Sequence, residues 1–299
     1  MASNDTLPPE KIKNYDTRIL ASLPLETPTH RYQDRRKLLD AVTRREDLLV
    51  NDRDDTQSQY LIVTDIDEDT LLSELLNEDH DDPELDLLMH HYKEFSLTEN
   101  ILLIKTGLSP VHESLHRGFY DVVRDKLEPM GLKKHVRSTG STEMRLRSRR
   151  KRPDTGIQPR RFPPNRSKGW PSLIMDVGHS RSRSKADDDA KDWIYQTDGK
   201  VQIGLAITAN RRVPELTIRK WVAEAGNDGI RARLDQEVKI SKDTGSSQVL
   251  VTREPLIIEF ERLLLRVKDE YKSPPEVDIE IDGNDLEDWA NIAWDDQGF

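Results

Sequence analysis

The chain has 299 residues, with 46 lysines and arginines against 56 aspartates and glutamates, so its formal net charge is −10. It contains no cysteine, which excludes disulfides, thiolate metal sites and cysteine nucleophiles. No apolar run is long enough for a transmembrane helix, and the first residues lack the apolar stretch of a signal peptide. We therefore expect an intracellular protein, nuclear or cytoplasmic, without membrane attachment. With 34% hydrophobic and 34% charged residues, we expect a compact core with acidic, partly disordered flanks.

The charge is distributed very unevenly along the chain. The segment Lys133–Lys168 holds thirteen lysines and arginines and two acids, so its net charge is +11 and that of the remaining residues is −21. Acids are concentrated in Asp65–Asp86, which has eleven, and in Ser273–Phe299, which has nine, and neither segment contains a lysine or arginine. Because phosphate binding draws on lysine and arginine, the basic segment makes nucleic acid a candidate partner despite the negative total.

Residues 1–95 are predicted to form an acidic, partly helical accessory region. The spacing of leucine and valine predicts a helix over about Gln33–Val50. The short apolar runs Tyr60–Val63 and Ile101–Ile104 are typical of strands, and the acidic, leucine-rich stretch between them is predicted to be helical. The organised core is expected to follow, over residues 96–225.

Within this core, strands and helices are predicted to alternate. Ser109 and Pro110 have the types preferred at the N-cap and first position of a helix, and Pro129 ends that helix near Glu128. After the basic segment, the predicted elements are a strand over Ser172–Val177, a helix over Lys185–Gln196, and strands over Val201–Thr208 and Leu216–Trp221. This alternation indicates an α/β (α+β) fold.

The last third of the chain is predicted to be an extension and a tail. Residues 226–272 contain a predicted strand over Gln248–Thr252 and an amphipathic helix over Pro255–Glu270. Residues 273–299 are interpreted as an acidic tail, either disordered or docked on the basic segment or on a protein partner. Deletion of this tail is then expected to strengthen nucleic-acid binding.

The sequence His112-Glu113-Ser114-Leu115-His116 has the H-E-x-x-H form found in zinc peptidases. On a helix, this spacing places two imidazoles on one face, where they can bind zinc. The longer metzincin pattern is absent, because Phe119 and Val122 stand where glycine and histidine are required. Both histidines border the apolar stripe of the predicted helix, which favours partly buried structural histidines over a zinc peptidase.

Two aspartates form a second candidate site. Pro153-Asp154 closes the basic run, and Asp176 lies inside the apolar string S-L-I-M-D-V. A carboxylate in a buried strand is costly unless it is paired or binds a cation. Two acids converging on Mg²⁺ are what phosphodiester hydrolysis requires. The alternative is that Asp154 is a turn residue and that Asp176 pairs with a nearby arginine.

Several of these segments together resemble a known family. They are R-S-R-R-K-R-P-D (147–154), G-W-P-S-L-I-M-D-V-G-H-S (169–180), D-A-K-D-W-I (189–194), V-Q-I-G-L-A-I (201–207) and I-R-K-W (218–221). They resemble uncharacterised proteins of filamentous fungi that are similar to the PD-(D/E)XK, or restriction-endonuclease-like, nuclease superfamily. The resemblance covers about residues 100–221. It implies a restriction-endonuclease-like core over 96–225, with a central mixed sheet flanked by helices.

The resemblance also implies a site and an activity. Asp154 corresponds to the P-D aspartate, Asp176 to the acid of the (D/E)-x-K element, and Glu113 to a helix acid, all three as ligands of Mg²⁺ or Mn²⁺. Gly178 stands where the family has lysine, and Lys191 is the candidate replacement that positions the attacking water. The implied protein is a metal-dependent nuclease or a catalytically decayed relative of one. The alternatives are a non-catalytic nucleic-acid-binding or nuclear interaction module with the same fold and, third, an H-E-x-x-H zinc peptidase.

The arginine-rich stretch from Arg145 to Lys168 has three interpretations. It can contact phosphates beside Asp154, act as a nuclear localisation signal, or form a solvated basic loop balanced by the acidic flanks. The candidate nucleic-acid contacts are basic residues in this stretch and just after Asp176. They are Arg145, Arg147, Arg149, Arg150, Lys151, Arg152, Arg181 and Arg183.

Overall fold

The computed structural model describes residues 20, 22–50, 52, 56–76, 82–107, 110–164, 166, 169–227, 229–243, 245 and 248–299. The described residues divide into two compact units. The first comprises described residues within 1–52, 56–107 and 144–152, and the second those within 110–143 and 153–299. The predicted division into regions 1–95, 96–225, 226–272 and 273–299 stays a prediction. The predicted N-cap Ser109 lies outside the described residues.

The secondary structure comprises strands and helices throughout both units. In chain order the strands are β1 (Thr29–Arg31), β2 (Tyr60–Thr64), β3 (Tyr92–Ser96), β4 (Ile101–Lys105), β5 (Val136–Ser138), β6 (Met144–Arg145), β7 (Arg149–Lys151), β8 (Thr155–Pro159), β9 (Leu173–His179), β10 (Ile203–Ala209), β11 (Glu215–Gly226), β12 (Gly229–Lys242), β13 (Val249–Thr252), β14 (Leu256–Ile258) and β15 (Ile279–Ile281). The helices are α1 (Arg35–Val50), α2 (Glu68–Thr70), α3 (Pro83–His91), α4 (Pro110–Leu127), α5 (Arg183–Gln196), α6 (Phe260–Leu264) and α7 (Gly283–Gln297).

The first unit is built on a six-stranded sheet in the order β1-β2-β4-β3-β7-β6. Leu38 and Val42, one helical turn apart on α1, are fully buried. They share a core with Val63 of β2, Phe95 of β3 and Leu102 of β4. The helix and the two strands predicted for this region are therefore confirmed. They could be predicted because their apolar residues recur at the spacing of one helix face or one sheet face.

The second unit contains a seven-stranded sheet in the order β13-β12-β11-β10-β9-β8-β5. Strands β9 and β10 are parallel and are joined through α5, whereas the other neighbouring strands are antiparallel. Leu205 packs in the core that contains residues of α4 and α7, and its neighbour Ala206 packs against Ala186 and Ala190 of α5. Since adjacent strand residues point to opposite faces, helices cover both faces of this mixed sheet. The predicted α/β (α+β) class is confirmed.

The amphipathic helix predicted over Pro255–Glu270 is wrong. Leu256 and Ile258 belong to β14, which pairs antiparallel with β15, and only Phe260–Leu264 is helical. The helix ends at Leu265, whose φ of 57° is left-handed. Leu256 and Ile258 are fully buried and Ile257 between them is less so, which is the two-residue alternation of a strand and not the spacing of a helix face.

The interpretation of residues 273–299 as a disordered acidic tail is also wrong. Most of the segment forms α7, which begins with a capping box between Asp282 and Asp285. Trp289 and Trp294 are 3% and 0% exposed, and the Trp289 Nε1 donates to the Leu115 carbonyl of α4 at 3.0 Å. The acids lie among apolar residues spaced for one helix face, so this segment completes the core of the second unit.

Glu276 ties the segment before β15 to the preceding loop. Its side chain is 2% exposed and receives two hydrogen bonds from Arg266, at 2.5 and 2.7 Å. The Asp269 amide and Lys272 Nζ also donate to it, at 3.0 and 3.1 Å. The Arg266 hydrogen bonds, together with those from Asp269 and Lys272, lower the pKa of Glu276 to about 2.

We expect Glu276→Gln to lower the free energy of unfolding at pH 7 by about 2 kcal/mol, since ionised Glu276 is stabilised in the native state. An unfolded glutamate binds a proton below about pH 4.5, whereas the native carboxylate stays ionised down to about pH 2. The wild-type advantage is therefore complete above about pH 4.5 and disappears as the pH falls towards 2. Urea unfolding at pH 7 and pH 3 measures this difference.

The matched control is Glu280→Gln, because Glu280 is exposed on the neighbouring strand β15. It should change stability little at either pH. If Glu276→Gln is less stable than wild type by the same amount at pH 7 and at pH 3, the stabilisation does not come from the ionised Glu276 carboxylate.

Candidate active site

Asp154, which immediately precedes β8, lies next to Asp176 of β9. The β8–β9 ladder pairs Thr155 with Met175, so the residue before Thr155 comes opposite Asp176. The Asp154 amide donates to Asp176 Oδ1 at 3.2 Å, and the Val177 amide donates to Asp154 Oδ2 at 2.7 Å. Each carboxylate is thus fixed by a backbone amide of the neighbouring strand.

Both carboxylates are withdrawn from solvent. Asp176 is 2% exposed, and the Asp154 side chain is 7% exposed. The Trp193 Nε1 of α5 donates to Asp176 Oδ2 at 3.1 Å. Asp176 therefore accepts hydrogen bonds from both the neighbouring strand and the covering helix. The alternative that Asp176 pairs with a nearby arginine stays a prediction.

A histidine on α4 contacts Asp154. The His112 Nε2 lies 3.1 Å from Asp154 Oδ2, and His112 Nδ1 lies 3.5 Å from Glu113 Oε1. The same Glu113 oxygen lies 3.2 Å from His116 Nε2, while Glu113 Oε2 is 2.8 Å from Arg117. The imidazole of His112 therefore separates Glu113 from Asp154.

Burial and the two histidines set the ionisation of this cluster. The hydrogen bonds from His112, and also from His116, lower the pKa of Glu113 to about 2. Burial, followed by repulsion from His112, lowers the pKa of His116. Glu113 is consequently a carboxylate throughout the neutral range. The expectation of buried histidines agrees with exposures of 8% for His112 and 7% for His116.

Lys191 lies away from the two aspartates in its described contacts. It is 2.5 Å from Asp188 and 5.0 Å from the centre of the Trp221 ring, and its side chain is 39% exposed. Lys185, on the same helix, is 1% exposed and donates to Asp189 Oδ1 at 2.5 Å. Lys185 is not among the site residues predicted from the sequence.

The inner face of α5 carries Lys185, Asp189 and Trp193 at intervals of four residues. Because Trp193 donates to Asp176, this face is turned towards β9. Lys185 lies in the first turn of α5, shortly after the end of β9. Along the chain, Lys185 is therefore closer to Gly178 than Trp193 is. The sequence signal for Lys185 is its position two helical turns before Trp193, on the same face of α5.

The first part of the arginine-rich stretch contributes to two strands of the first unit, with Arg145 on β6 and Arg149–Lys151 forming β7. Arg149 and Lys151 of β7 are 1% and 0% exposed, and Lys151 lies 3.6 Å from Glu94 of β3. The interpretation as a solvated basic loop is therefore wrong for these residues. They are buried because β7 pairs with β3 inside the sheet.

Other candidate nucleic-acid contacts also have acidic or carbonyl partners. Arg145 and Arg150 both bind Glu68 Oε1, at 2.5 and 3.0 Å. Arg152 donates to the Met89 carbonyl at 2.7 Å. Glu68 belongs to the acidic stretch Asp65–Asp86, so part of that charge compensates the arginines.

The two predicted contacts of the second unit flank the start of α5. Arg183 lies 2.8 Å from Glu237, and its side chain is 44% exposed, whereas Arg181 is exposed on the turn that precedes α5. Arg147 is likewise exposed, between β6 and β7 of the first unit. Whether any of these residues contacts nucleic acid stays a prediction.

The chain matches no family model and no curated protein. Among solved structures, it is similar to a candidate nuclease belonging to DUF820 from Anabaena variabilis, with 12% sequence identity and a TM-score of 0.35. The alignment covers 67% of this chain and 92% of that protein. A likeness at this TM-score does not establish a shared fold or activity, so function is inferred from the residues of the site. Within the described part of the chain, every helix is too short or too polar to span a bilayer.

Proposed function

We propose that this protein is a Mg²⁺- or Mn²⁺-dependent nuclease that hydrolyses phosphodiester bonds in nucleic acid. The observation that carries the proposal is the buried pair Asp154 and Asp176, whose carboxylates are held by amides of each other's strands at 2.7 and 3.2 Å. The order α4, Asp154, β9 with Asp176, α5 and β10 supports it further, because this is the order implied by the resemblance to PD-(D/E)XK nucleases.

The two aspartates suit a hard divalent cation. Two buried carboxylates close together repel each other unless a positive charge lies nearby. Mg²⁺ is commonly bound through one or two carboxylates, with water and substrate oxygens completing its coordination. When bound by Asp154 and Asp176, the ion would stabilise the developing phosphate charge and lower the pKa of a water nucleophile. Glu113 is omitted from the proposed ligands because the His112 imidazole separates it from Asp154.

In this proposal Lys185 replaces Lys191 as the residue that positions the attacking water. It is buried on the face of α5 whose Trp193 binds Asp176, and it precedes Trp193 by two helical turns towards the end of β9. A buried ammonium also offsets the charge of the aspartates. Lys191 lacks both properties, since it is partly exposed and pairs with Asp188.

We expect Lys185→Gln to lower the cleavage rate by about 10²-fold, a typical loss for a group that orients or activates water. The substrate KM should change less than kcat, because the lysine acts on water rather than on the bulk of the substrate. Lys191→Gln should retain the wild-type rate. Single-turnover cleavage, with circular dichroism to confirm folding, measures both. A larger effect of Lys191→Gln than of Lys185→Gln would reverse the assignment.

The proposal is tested by incubating the full chain with linear, plasmid and single-stranded DNA and with RNA, in Mg²⁺, Mn²⁺ or EDTA. Cleavage of any of these that requires a divalent cation supports it. Gly178, where the family has lysine, favours the alternative of a non-catalytic binding module. Binding of nucleic acid that weakens with salt, without metal-dependent cleavage, would establish that alternative instead.

A further inference from the structure

The H-E-x-x-H segment of α4 places three metal-ligating groups together, separately from Asp176. His112, Glu113 and His116 each offer one ligand atom, and these atoms all lie within 4.8 Å of one another. Across the described residues, this is the one group of three or more such side chains. The two imidazoles and one carboxylate differ in chemistry from the all-carboxylate pair at β8 and β9.

We propose that His112, Glu113 and His116 form a second metal site, for Zn²⁺ or a similar transition-metal ion. Imidazole nitrogens suit zinc, cobalt and nickel, whereas oxygen ligands alone suit magnesium. Its three proposed ligands differ from the two proposed Mg²⁺ ligands, Asp154 and Asp176, so its metal binding can be measured without the nuclease activity.

The distances around Glu113 suit such an ion. Its Oε1 lies 3.5 Å from His112 Nδ1 and 3.2 Å from His116 Nε2. Two ligand atoms bound tetrahedrally at about 2.0–2.1 Å are separated by about 3.3 Å. The Oε2 atom is held by Arg117 at 2.8 Å, which keeps Oε1 directed at the two imidazoles. Three protein ligands leave a further coordination position for water or substrate.

The surroundings of the cluster match those of metal-binding histidines. A ligating histidine usually donates its other ring nitrogen to a carboxylate or carbonyl, which fixes the ring. His112 faces Glu113 through Nδ1 and Asp154 Oδ2 through Nε2, at 3.1 Å. Asp154 would therefore be the outer partner of this ion, and it links the transition-metal site to the pair of aspartates.

This arrangement differs from that of a zinc peptidase. In peptidases of the H-E-x-x-H type, the glutamate serves as general base and does not bind the metal. Here Glu113 Oε1 lies 3.5 Å from His112 Nδ1 and 3.2 Å from His116 Nε2, so one carboxylate oxygen faces both imidazoles. The proposed role of Glu113 is that of a ligand, and peptide hydrolysis is not proposed.

Metal binding by the full chain tests this site without any nuclease assay. Apo protein is titrated with Co²⁺, followed by its visible absorption, and with Zn²⁺, followed by calorimetry. We expect one bound ion in wild type. His116→Gln and Glu113→Gln should each weaken binding by at least about 100-fold, and Asp154→Asn by about 10–100-fold, as for an outer-shell partner. His135→Gln, which replaces an exposed histidine outside the cluster, should bind as wild type does.

Glu113→Gln keeps the test decisive if the buried His116 is needed for folding, since Glu113 is 31% exposed in its side chain. Circular dichroism of the apo variants checks that each is folded. The site is overturned if wild type binds no transition metal, or if folded His116→Gln and Glu113→Gln bind as tightly as wild type. Unchanged affinity in Asp154→Asn overturns the link to Asp154.

Discussion

Asp154→Ala and Asp176→Ala are each expected to reduce metal-dependent cleavage by at least about 10²-fold, equivalent to about 3 kcal/mol of transition-state stabilisation. Either change removes one of the two carboxylates proposed to hold the ion. It also removes a hydrogen-bond acceptor that fixes the other strand, because each carboxylate binds an amide across the β8–β9 ladder. Initial rates at saturating Mg²⁺ measure the effect.

The matched control for these variants is Asp188→Ala. Asp188 is an acid on α5 whose side chain is 38% exposed and whose described partner is Lys191. Asp188→Ala should cleave at the wild-type rate. The comparison shows whether activity is lost because a metal ligand is removed or because the second unit has one negative charge fewer. Cleavage by Asp154→Ala and Asp176→Ala at rates near that of wild type would remove both aspartates from the mechanism.

Trp294→Ala is expected to lower the free energy of unfolding by about 3–5 kcal/mol, as is usual when a buried tryptophan is truncated. The Trp294 side chain is fully buried in the core that also contains Phe119 of α4 and Leu205 of β10. Its removal leaves a cavity between α7 and the sheet. Urea denaturation at neutral pH measures the change.

Ile292→Ala on the same helix provides the comparison, because Ile292 is 59% exposed and should change stability by less than about 0.5 kcal/mol. If Trp294→Ala also lowers the free energy of unfolding by less than about 0.5 kcal/mol, the interpretation of residues 273–299 as an acidic tail outside the core is restored. Deletion of residues 273–299 is accordingly expected to unfold the second unit. The sequence predicts that this deletion strengthens nucleic-acid binding. We no longer expect that result, because the deleted segment forms part of the core.

The order of the core elements could be predicted because periodicity and helix-end signals agree there. Leu115 and Phe119 repeat at the spacing of one helix face, and the apolar strings around Asp176 and Leu205 are long enough to read as buried strands. The adjacency of Asp154 and Asp176 followed from the resemblance, since nothing local specifies which strand neighbours β9.

Other parts could not be predicted because their structure depends on a distant partner. Leu256, Ile257 and Phe260 have the spacing of one helix face, and only the pairing of β14 with β15 makes the first two strand residues. Arg149 and Lys151 appear as exposed basic residues in the sequence, yet strand pairing buries them. The contact between His112 and Asp154 joins residues more than forty positions apart, and a helical wheel of α4 alone does not contain Asp154.

Calorimetric titration with Mg²⁺ tests most directly whether Asp154 and Asp176 hold the proposed ion. Mg²⁺ prefers oxygen ligands, so the His112, Glu113 and His116 cluster is not expected to contribute. We predict one Mg²⁺ site in wild type and in His116→Gln, and loss of that site in folded Asp154→Asn and Asp176→Asn. Equal Mg²⁺ binding by wild type and by both aspartate variants would contradict the proposed active site.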